Sequence, residues 1–514
     1  MANIKRDKGD CLEGCFAWIL HNVQLKDWQG KQDTRLLWIK GDPGKGKTML
    51  MIGLVEELRD RLRTYQSCAL SFFFCRNAEQ RLNNGVSVLR GLIWKLLSEN
   101  PAMGCHIPKA YRLTTKDKRK AMFEESNSYL FDTLKSMLSD ILMDANFDTV
   151  YLLVDALDEC DKDIDGLVEW IAHNAADPGS KAKWLVSGRS TMKLDRALRP
   201  KQHQDKLILE LNDEHISRAV ARFIEQKVDD LVTDGGYSED LRIKVQKTLE
   251  KKAESTFLWA ALVCKQLKGA PELTIMTELD EFPLGLLPLY KRMMELIEKQ
   301  GNYISELCKK ILRAVTIAYN PLTLDEIVPM AELHKKSIRN IRELVTLCGS
   351  YVILRGETIH FVHLSAKEYL NGDATFFPGG REEEHGRVLQ RSLHAMTNIL
   401  KKDVYDLRHP GFPIDEARTP DNDPLAAVRY SCAYWVHHLS EADRDSPQFQ
   451  SNISDEGNVH SFLRSSLLYW FEALSLMRNI SDSVLALRRL KELLEVSFDS
   501  ENDMYKFTNN HIHF

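Results

Sequence analysis

Eight consecutive residues constrain this chain more than any others: Gly41-Asp42-Pro43-Gly44-Lys45-Gly46-Lys47-Thr48. Before them, Leu36, Leu37, Trp38 and Ile39 form a short apolar run of the kind buried in a sheet; after them, Leu50, Met51, Leu54, Val55, Leu58 and Leu62 recur at helical spacing. The glycines therefore sit between a strand and a helix. Gly41, Gly44 and Gly46 can take backbone angles closed to other residues, so consecutive N–H groups turn inward and surround an anion at the helix N-terminus. The run fits GxxxxGK[ST] at every fixed position, which makes all eight residues candidates for holding a nucleotide's phosphates. In that pattern Lys47 reaches the β- and γ-phosphates and the Thr48 hydroxyl ligates Mg2+.

A second apolar run ends in acids: Tyr151-Leu152-Leu153-Val154-Asp155-Ala156-Leu157-Asp158-Glu159. A phosphate site that works through Mg2+ needs such a strand, with Asp155 at its tip holding the cation and its waters. Asp158 or Glu159, a turn further on, is then placed to orient an attacking water. Acid-capped strands are common in structural roles, and it is the pairing with the glycine loop that favours catalysis. One strand later, Trp184-Leu185-Val186-Ser187 leads to Gly188-Arg189-Ser190, which puts Arg189 at the carboxyl edge where ligands of parallel sheets sit. Arg189 is a candidate sensor of the γ-phosphate.

Further strand patterns cover 69–75, 150–154, 184–187 and 207–211, which with the first run predict a five-stranded sheet. Helical patterns from Gly85 and Ser128 separate them, so parallel pairing through crossovers is favoured and residues 1–212 read as one α/β nucleotide-binding domain. Amphipathic helices take over across 213–300. From about Ser305 the order becomes three helices and then YVILRGETIHFVH, whose alternation around Arg355-Gly356-Glu357 predicts a β-hairpin; 301–375 therefore reads as a winged helix. The stretch 376–514 reads as helical, with a polar loop and no internal repeat.

The length of 514 residues suggests three to five domains, and 44% apolar content is ordinary for packed protein. A formal charge of −5, with both signs mixed along the chain, provides no global field to recruit nucleic acid or membrane. The opening MANIKRDKGDCLEGC lacks the apolar core of a signal peptide, and no apolar run approaches the ~18 residues that span a bilayer, so a cytoplasmic location is expected. The ten cysteines are scattered; Cys11 and Cys15 are the closest pair, without partners that would complete a zinc site, and the set reads as reduced, mostly buried thiols.

Taken together, GDPGKGKT, LLVDALDE and LVSGRS, followed by a helical region and FVHLSAKEYL, resemble the NACHT-type STAND P-loop ATPases of the NOD-like receptor class, nephrocystin-like at the N-terminus. The nearest likeness is to their filamentous-fungal branch. STFLWAALVCKQL, GLLPLYKRMMELI, NPLTLDEIV and DPLAAVRYSCAYWVHHL extend it from about Gly9 to Leu439. The resemblance implies an ATP/ADP switch: ADP holds the nucleotide-binding, helical and winged-helix domains closed, ATP permits opening and self-association, and slow Mg2+-dependent hydrolysis resets the state. It also implies signalling through a partner in fungal non-self recognition, programmed cell death or heterokaryon incompatibility, a form of innate immunity.

On this resemblance His363 contacts the ADP β-phosphate in the closed state, and Lys8, Gly9 and Asp10 lie near the adenine. The residues around His363 predict a capping box over Ser365-Ala366-Lys367-Glu368, with Leu364 and Tyr369 as a hydrophobic staple. Two departures stand out. The N-terminal signalling domain and the C-terminal repeats usual in the family are not read in the sequence, so the chain is expected to be a fragment, a truncated product or a core that borrows its sensor. Ser255-Thr256 also stands where relatives carry glycine or proline before the FLW stretch.

Two rival readings remain. A AAA+-like remodelling ATPase shares this sheet and these motifs but turns over fast under substrate stimulation. A winged-helix nucleic-acid-binding ATPase is suggested by His334, Lys335, Lys336, Arg339 and Arg342 along one predicted helix, with Ile338, Ile341 and Leu344 or Val345 facing inward. The mixed charge elsewhere favours a solvated helix face over DNA binding.

Overall fold

The computed structural model describes residues 16–493 except 66, 78, 80–81, 108–129, 161, 199–203, 210–211, 334–339, 350, 410, 456 and 480–485. Its contacts divide the chain into two compact units, Met1–Arg292 and Met293–Phe514, with the division falling inside the helix Leu286–Glu298.

The first unit is built on five parallel strands: β1 (Leu36–Lys40), β2 (Cys68–Phe74), β3 (Thr149–Asp155), β4 (Ala182–Gly188) and β5 (Gln204–Ile208), in the spatial order β2-β3-β4-β1-β5. Every residue of β4 is buried, as a central parallel strand covered on both faces should be. Helices Gly85–Glu99, Leu130–Leu142 and Ile164–Ala176 cover one layer, where Leu89, Leu92, Leu138 and Leu167 pack with Val150, Leu152, Trp184 and Val186. The fifth strand lies earlier than the apolar pattern of 207–211 predicts. Leu207 and Leu209 are both buried, but the ladder to β1 spans Gln204–Ile208, and after Leu209 donates to Lys40 O the chain turns into the helix Asp213–Gly235. The pattern thus shares Leu207 and Ile208 with the hydrogen-bonded run and misses its start. Beyond the sheet the unit is helical, through Glu239–Lys252, Phe257–Gln266 and Ile275–Glu281.

The second unit begins with helices Asn302–Ile317, Leu324–Met330 and Ile341–Leu347, then an antiparallel hairpin of β6 (Val352–Arg355) and β7 (Thr358–Phe361). The hairpin closes on Gly356-Glu357, with Gly356 at φ +59° in the first turn position, where only glycine escapes a steric cost. Leu324 N–H donates to Glu357 O and Ile359 N–H to Leu322 O, so the entry to the second helix widens this small sheet. Ile341, Leu344 and Val345 are buried as expected, and Arg342 is paired with Glu357; His334, Lys335, Lys336, Ile338 and Arg339 lie outside the described residues. Helices Arg381–Ile399, Arg429–Glu441 and Asn458–Leu476 then enclose a core around Trp435, Phe462 and Trp470. No helix among the described residues is long and apolar enough to cross a membrane.

The HH pair of YWVHHL is half explained by burial. His438 is fully buried, its Nδ1 is 2.8 Å from His385 Nδ1, and its Nε2 is 2.7 Å from Tyr430 OH. Burial pushes the His385 imidazole down to about 4 and His438 well below the usual histidine range. The native state thus refuses protons that the unfolded chain accepts near pH 6.5, so the stabilisation is complete above that pH and is lost as pH falls from 6.5 toward 4. Each histidine contributes a slope of about 1.4 kcal/mol per pH unit in that window. The urea midpoint of this unit should therefore drop between pH 7 and pH 5.5; a flat midpoint would contradict neutral burial of the pair.

Candidate functional site

The glycine loop leaves β1 with Gly41 N–H donating to Gly188 O at the tip of β4, 3.3 Å away. Gly44 and Gly46 take φ +78° and +85°, the left-handed conformations read from the sequence. Gly41 is needed for a different reason: its backbone is not left-handed, and an added Cβ would meet Leu209 Cδ1 at 2.9 Å. Gly46 caps the helix Lys47–Leu62, so the loop ends at the positive end of that helix's dipole. Lys47 Nζ folds back over the loop and donates to Gly41 O at 2.5 Å and Asp42 O at 3.0 Å. Asp42 is exposed, while Pro43 and Thr48 are half-buried on the same turn. Lys45 points elsewhere: its ammonium donates to Glu254 O at 3.0 Å and stands 3.7 Å from the Asp213 carboxylate.

Because β4 lies between β1 and β3, the loop and the acidic tip are about 10 Å apart, two strand spacings. That gap accommodates a phosphate chain and a cation. Asp155 closes β3 almost fully buried, and Ser187 Oγ on β4 donates to its Oδ1 while accepting the Ala156 N–H at 3.0 Å. Arg189 Nε pairs with Asp158 Oδ2 at 3.0 Å, whereas Asp158 Oδ1 is buried without a hydrogen-bond partner among the described residues. Glu159 Oε2 accepts the Asn77 N–H at 3.1 Å, beyond the tip of β2. The tips of β2, β3 and β4 thus bring Asp155, Asp158, Glu159 and Arg189 together. Sequence reasoning gave no role to Ser187 or Asn77. Ser187 stood in the quoted LVSGRS and could have been found as the polar residue of an otherwise apolar strand; nothing in the sequence singles out Asn77.

The FLW stretch seals the loop from outside. A Cβ on Gly44 would meet Leu258 Cβ at 2.8 Å and Thr256 Cγ2 at 2.9 Å, and one on Gly46 would meet the Phe257 ring at 3.0 Å. Phe16 stacks on Phe257 at 5.7 Å between ring centres, and Trp18 stacks on His215 at 5.3 Å. The chain reaches this seal through Glu254 and Ser255, both left-handed at φ +45° and +56°. That backbone is what glycine adopts most cheaply, so Glu254 and Ser255 hold it at a cost in strain. Ser255 is buried, with its hydroxyl 2.5 Å from Ser217 Oγ. Lys8, Gly9 and Asp10 lie outside the described residues.

His363 belongs to the second unit, where it caps the helix Leu364–Gly372. Its Nδ1 accepts the Ser365 N–H at 3.1 Å and lies 2.8 Å from Ser365 Oγ. The cap therefore lies two residues before the predicted Ser365, and no capping box forms: His363 itself is the cap, Ser365 is inside the helix, and Leu364 and Tyr369 do not occupy staple positions. An accepting Nδ1 leaves the neutral ring's proton on Nε2.

Residues 14–189 match the family model described as nephrocystin 3, N-terminal. The chain is 39% identical over 511 residues to the vegetative incompatibility protein HET-E-1 of Podospora anserina, across 96% of its own length. Both matches bear out the likeness to NACHT-type STAND P-loop NTPases. The alignment spans 37% of the length of HET-E-1, so the chain corresponds to little more than a third of that relative. Among solved structures, it is similar to a Signal Transduction ATPase with Numerous Domains protein with a tetratricopeptide repeat sensor from Pyrococcus horikoshii, at 12% identity and TM-score 0.36, covering 94% of this chain and 63% of that one. It is also similar to the ORC2 protein of Aeropyrum pernix in its ADPNP–ADP complexes, at 12% identity and TM-score 0.30, covering 69% of this chain and 90% of that one.

The buried Ser187–Asp155 contact makes a specific prediction. Asp155→Asn should weaken Mg2+-dependent ATP binding about tenfold, and Ser187→Ala should reproduce a fraction of that loss, because the carboxylate then loses the hydrogen bond that orients it. Titrating Mg2+ at fixed ATP, with binding followed by calorimetry, reads both; a wild-type Mg2+ dependence in Asp155→Asn would remove the residue from the metal site.

Proposed function

We propose that the chain is an ATP/ADP-dependent switch of the STAND class, a NOD-like receptor core whose nucleotide state controls self-association. The observation that carries this reading is the glycine loop at β1 facing, across the single strand β4, a buried Asp155 at the tip of β3. In this reading 1–212 bind nucleotide and Mg2+, 213–300 form the helical domain, 301–375 the winged helix and 376–514 a further helical region. The loop from Gly41 through Thr48 holds the phosphates; Thr48 and Asp155 hold the cation; Glu159 orients water; Asp158 aligns Arg189 on the γ-phosphate. His363 contacts the β-phosphate of ADP in the closed state. Hydrolysis is slow and resets the switch, and the protein acts in the cytoplasm. The name of its fungal relative points to vegetative incompatibility, hence to non-self recognition and cell death, as the setting.

Nucleotide released on denaturing the freshly purified protein tests the switch. Stoichiometric ADP supports a closed resting state, while an empty site with rapid exchange and fast turnover would favour a remodelling motor. The acids separate further under single-turnover conditions. Glu159→Gln should slow hydrolysis at least tenfold while sparing ATP affinity, and Asp158→Asn should be no worse in combination with Arg189→Ala than alone, because both break one ion pair. Wild-type hydrolysis in Glu159→Gln would remove its water-orienting role.

A further inference from the structure

At the edge of the sheet opposite the glycine loop, three metal-ligating side chains meet. The turn leading into the amino end of β3 carries Asp144, and the short helix Pro101–His106 ends against it, so that one ligand atom each from Cys105, His106 and Asp144 lies within 4.8 Å of the others. We propose that Cys105, His106 and Asp144 form a binding site for a borderline-soft divalent cation, zinc being the natural occupant.

The donor set argues for that class of ion. Thiolate, imidazole and carboxylate suit Zn2+, at bond lengths of about 2.3, 2.0–2.1 and 2.0–2.2 Å, whereas Ca2+ and Mg2+ take oxygen ligands. Tetrahedral coordination at those lengths sets ligand atoms about 3.4 Å apart. Here His106 Nε2 and Asp144 Oδ2 are 2.6 Å apart and the widest separation is within 4.8 Å, so closing on an ion takes movements of about 1 Å. Asp144 is also held as a ligand should be. Its Oδ1 accepts the Asn146 N–H at 2.8 Å, its carbonyl accepts from the Lys181 ammonium at 2.6 Å, and Oδ2 is thereby turned toward His106. Three protein ligands leave the fourth position for water or an incoming donor.

The ion would cross-link residues 38 positions apart, restricting the unfolded chain. The cysteine spacings gave no hint of it, because the set uses one cysteine and its last ligand is distant in sequence. A hydrogen-bonded His–Asp pair beside an exposed thiol is the ordinary alternative, and it predicts no metal dependence.

The test uses the full chain, stripped of metal, without nucleotide and with a phosphine reductant, titrated with Co2+. A thiolate-to-cobalt charge-transfer band should saturate at one equivalent and be displaced by Zn2+. Cys105 is exposed, so Cys105→Ser should fold normally and lose the band, while Asp144→Asn should weaken binding at least tenfold. Zn2+ should raise the thermal midpoint of the wild type and leave that of His106→Gln unchanged. No band in the wild type, a band insensitive to Cys105→Ser, or no midpoint rise in the wild type would overturn the proposal.

Discussion

Lys47→Ala is expected to bind ATP and ADP at least a hundredfold more weakly than the wild type while keeping its far-UV circular dichroism and thermal midpoint. The half-buried ammonium lies on the loop, against the Gly41 and Asp42 carbonyls, and contributes nothing to the apolar core. Hydrogen bonds between charged partners are worth about 1.5–3 kcal/mol each. Losing contact with two phosphates thus removes about 3 kcal/mol or more, and each 1.4 kcal/mol is tenfold in affinity. Lys45→Ala is the informative control, because its ammonium is already engaged by Glu254 O and Asp213. It should lose less than tenfold. Calorimetry with both nucleotides decides the matter, and wild-type affinity in Lys47→Ala would falsify the assignment of the loop as the phosphate site.

His363 carries the second large effect. If its Nε2–H donates to the ADP β-phosphate, removal costs the closed state about 1.5–3 kcal/mol. Starting from about 1% open, that moves the population to roughly a tenth to three-fifths open, well short of the about 5.5 kcal/mol that full inversion requires. Faster ADP release and partial self-association in ATP should follow. Alanine alone is ambiguous, because it also removes the cap that Nδ1 provides to the Ser365 N–H, a loss of about 0.5–2 kcal/mol in helix stability. Asparagine caps well and is too short to replace the ring, so His363→Asn isolates the phosphate contact. Release of a fluorescent ADP analogue and light scattering in ATP should change in both variants. Normal release in His363→Asn with fast release in His363→Ala would reduce the residue to a helix cap.

The sheet was legible because parallel strands buried on both faces leave continuous apolar runs, as β3 and β4 do, and because the glycine loop marks the end of β1. β5 was misplaced by three residues, since the apolar pattern began at Leu207, inside the ladder, and ran past its end to Leu209. Capping followed the same logic of competing signals. Ser365-Ala366-Lys367-Glu368 has the letters of a capping box, yet the box present is Thr323 with Glu326, inside NPLTLDEIV. Spacing alone does not say which polar residue sits at the boundary. At the site, the carboxylates and Arg189 were readable as types at strand ends, but their pairing was not: that Asp158 is spent on Arg189 and Asp155 on Ser187 depends on register between strands, which no local pattern encodes.

The seal over the glycine loop has a mechanical consequence. Gly44 and Gly46 lack side chains in a place where even a methyl group would collide with Thr256, Phe257 or Leu258. Matter packed that closely is nearly incompressible, so a shift of the loop by a fraction of an ångström toward this side is passed to the start of the helix Phe257–Gln266. That helix is approached through two residues already held in a left-handed backbone, a preloaded joint that releases about 1–2 kcal/mol per residue if the turn unwinds. A shift of the loop thus acts on a joint held under strain at Glu254 and Ser255. Glycine at these two positions would relax the joint and leave it with less strain to release when the loop moves.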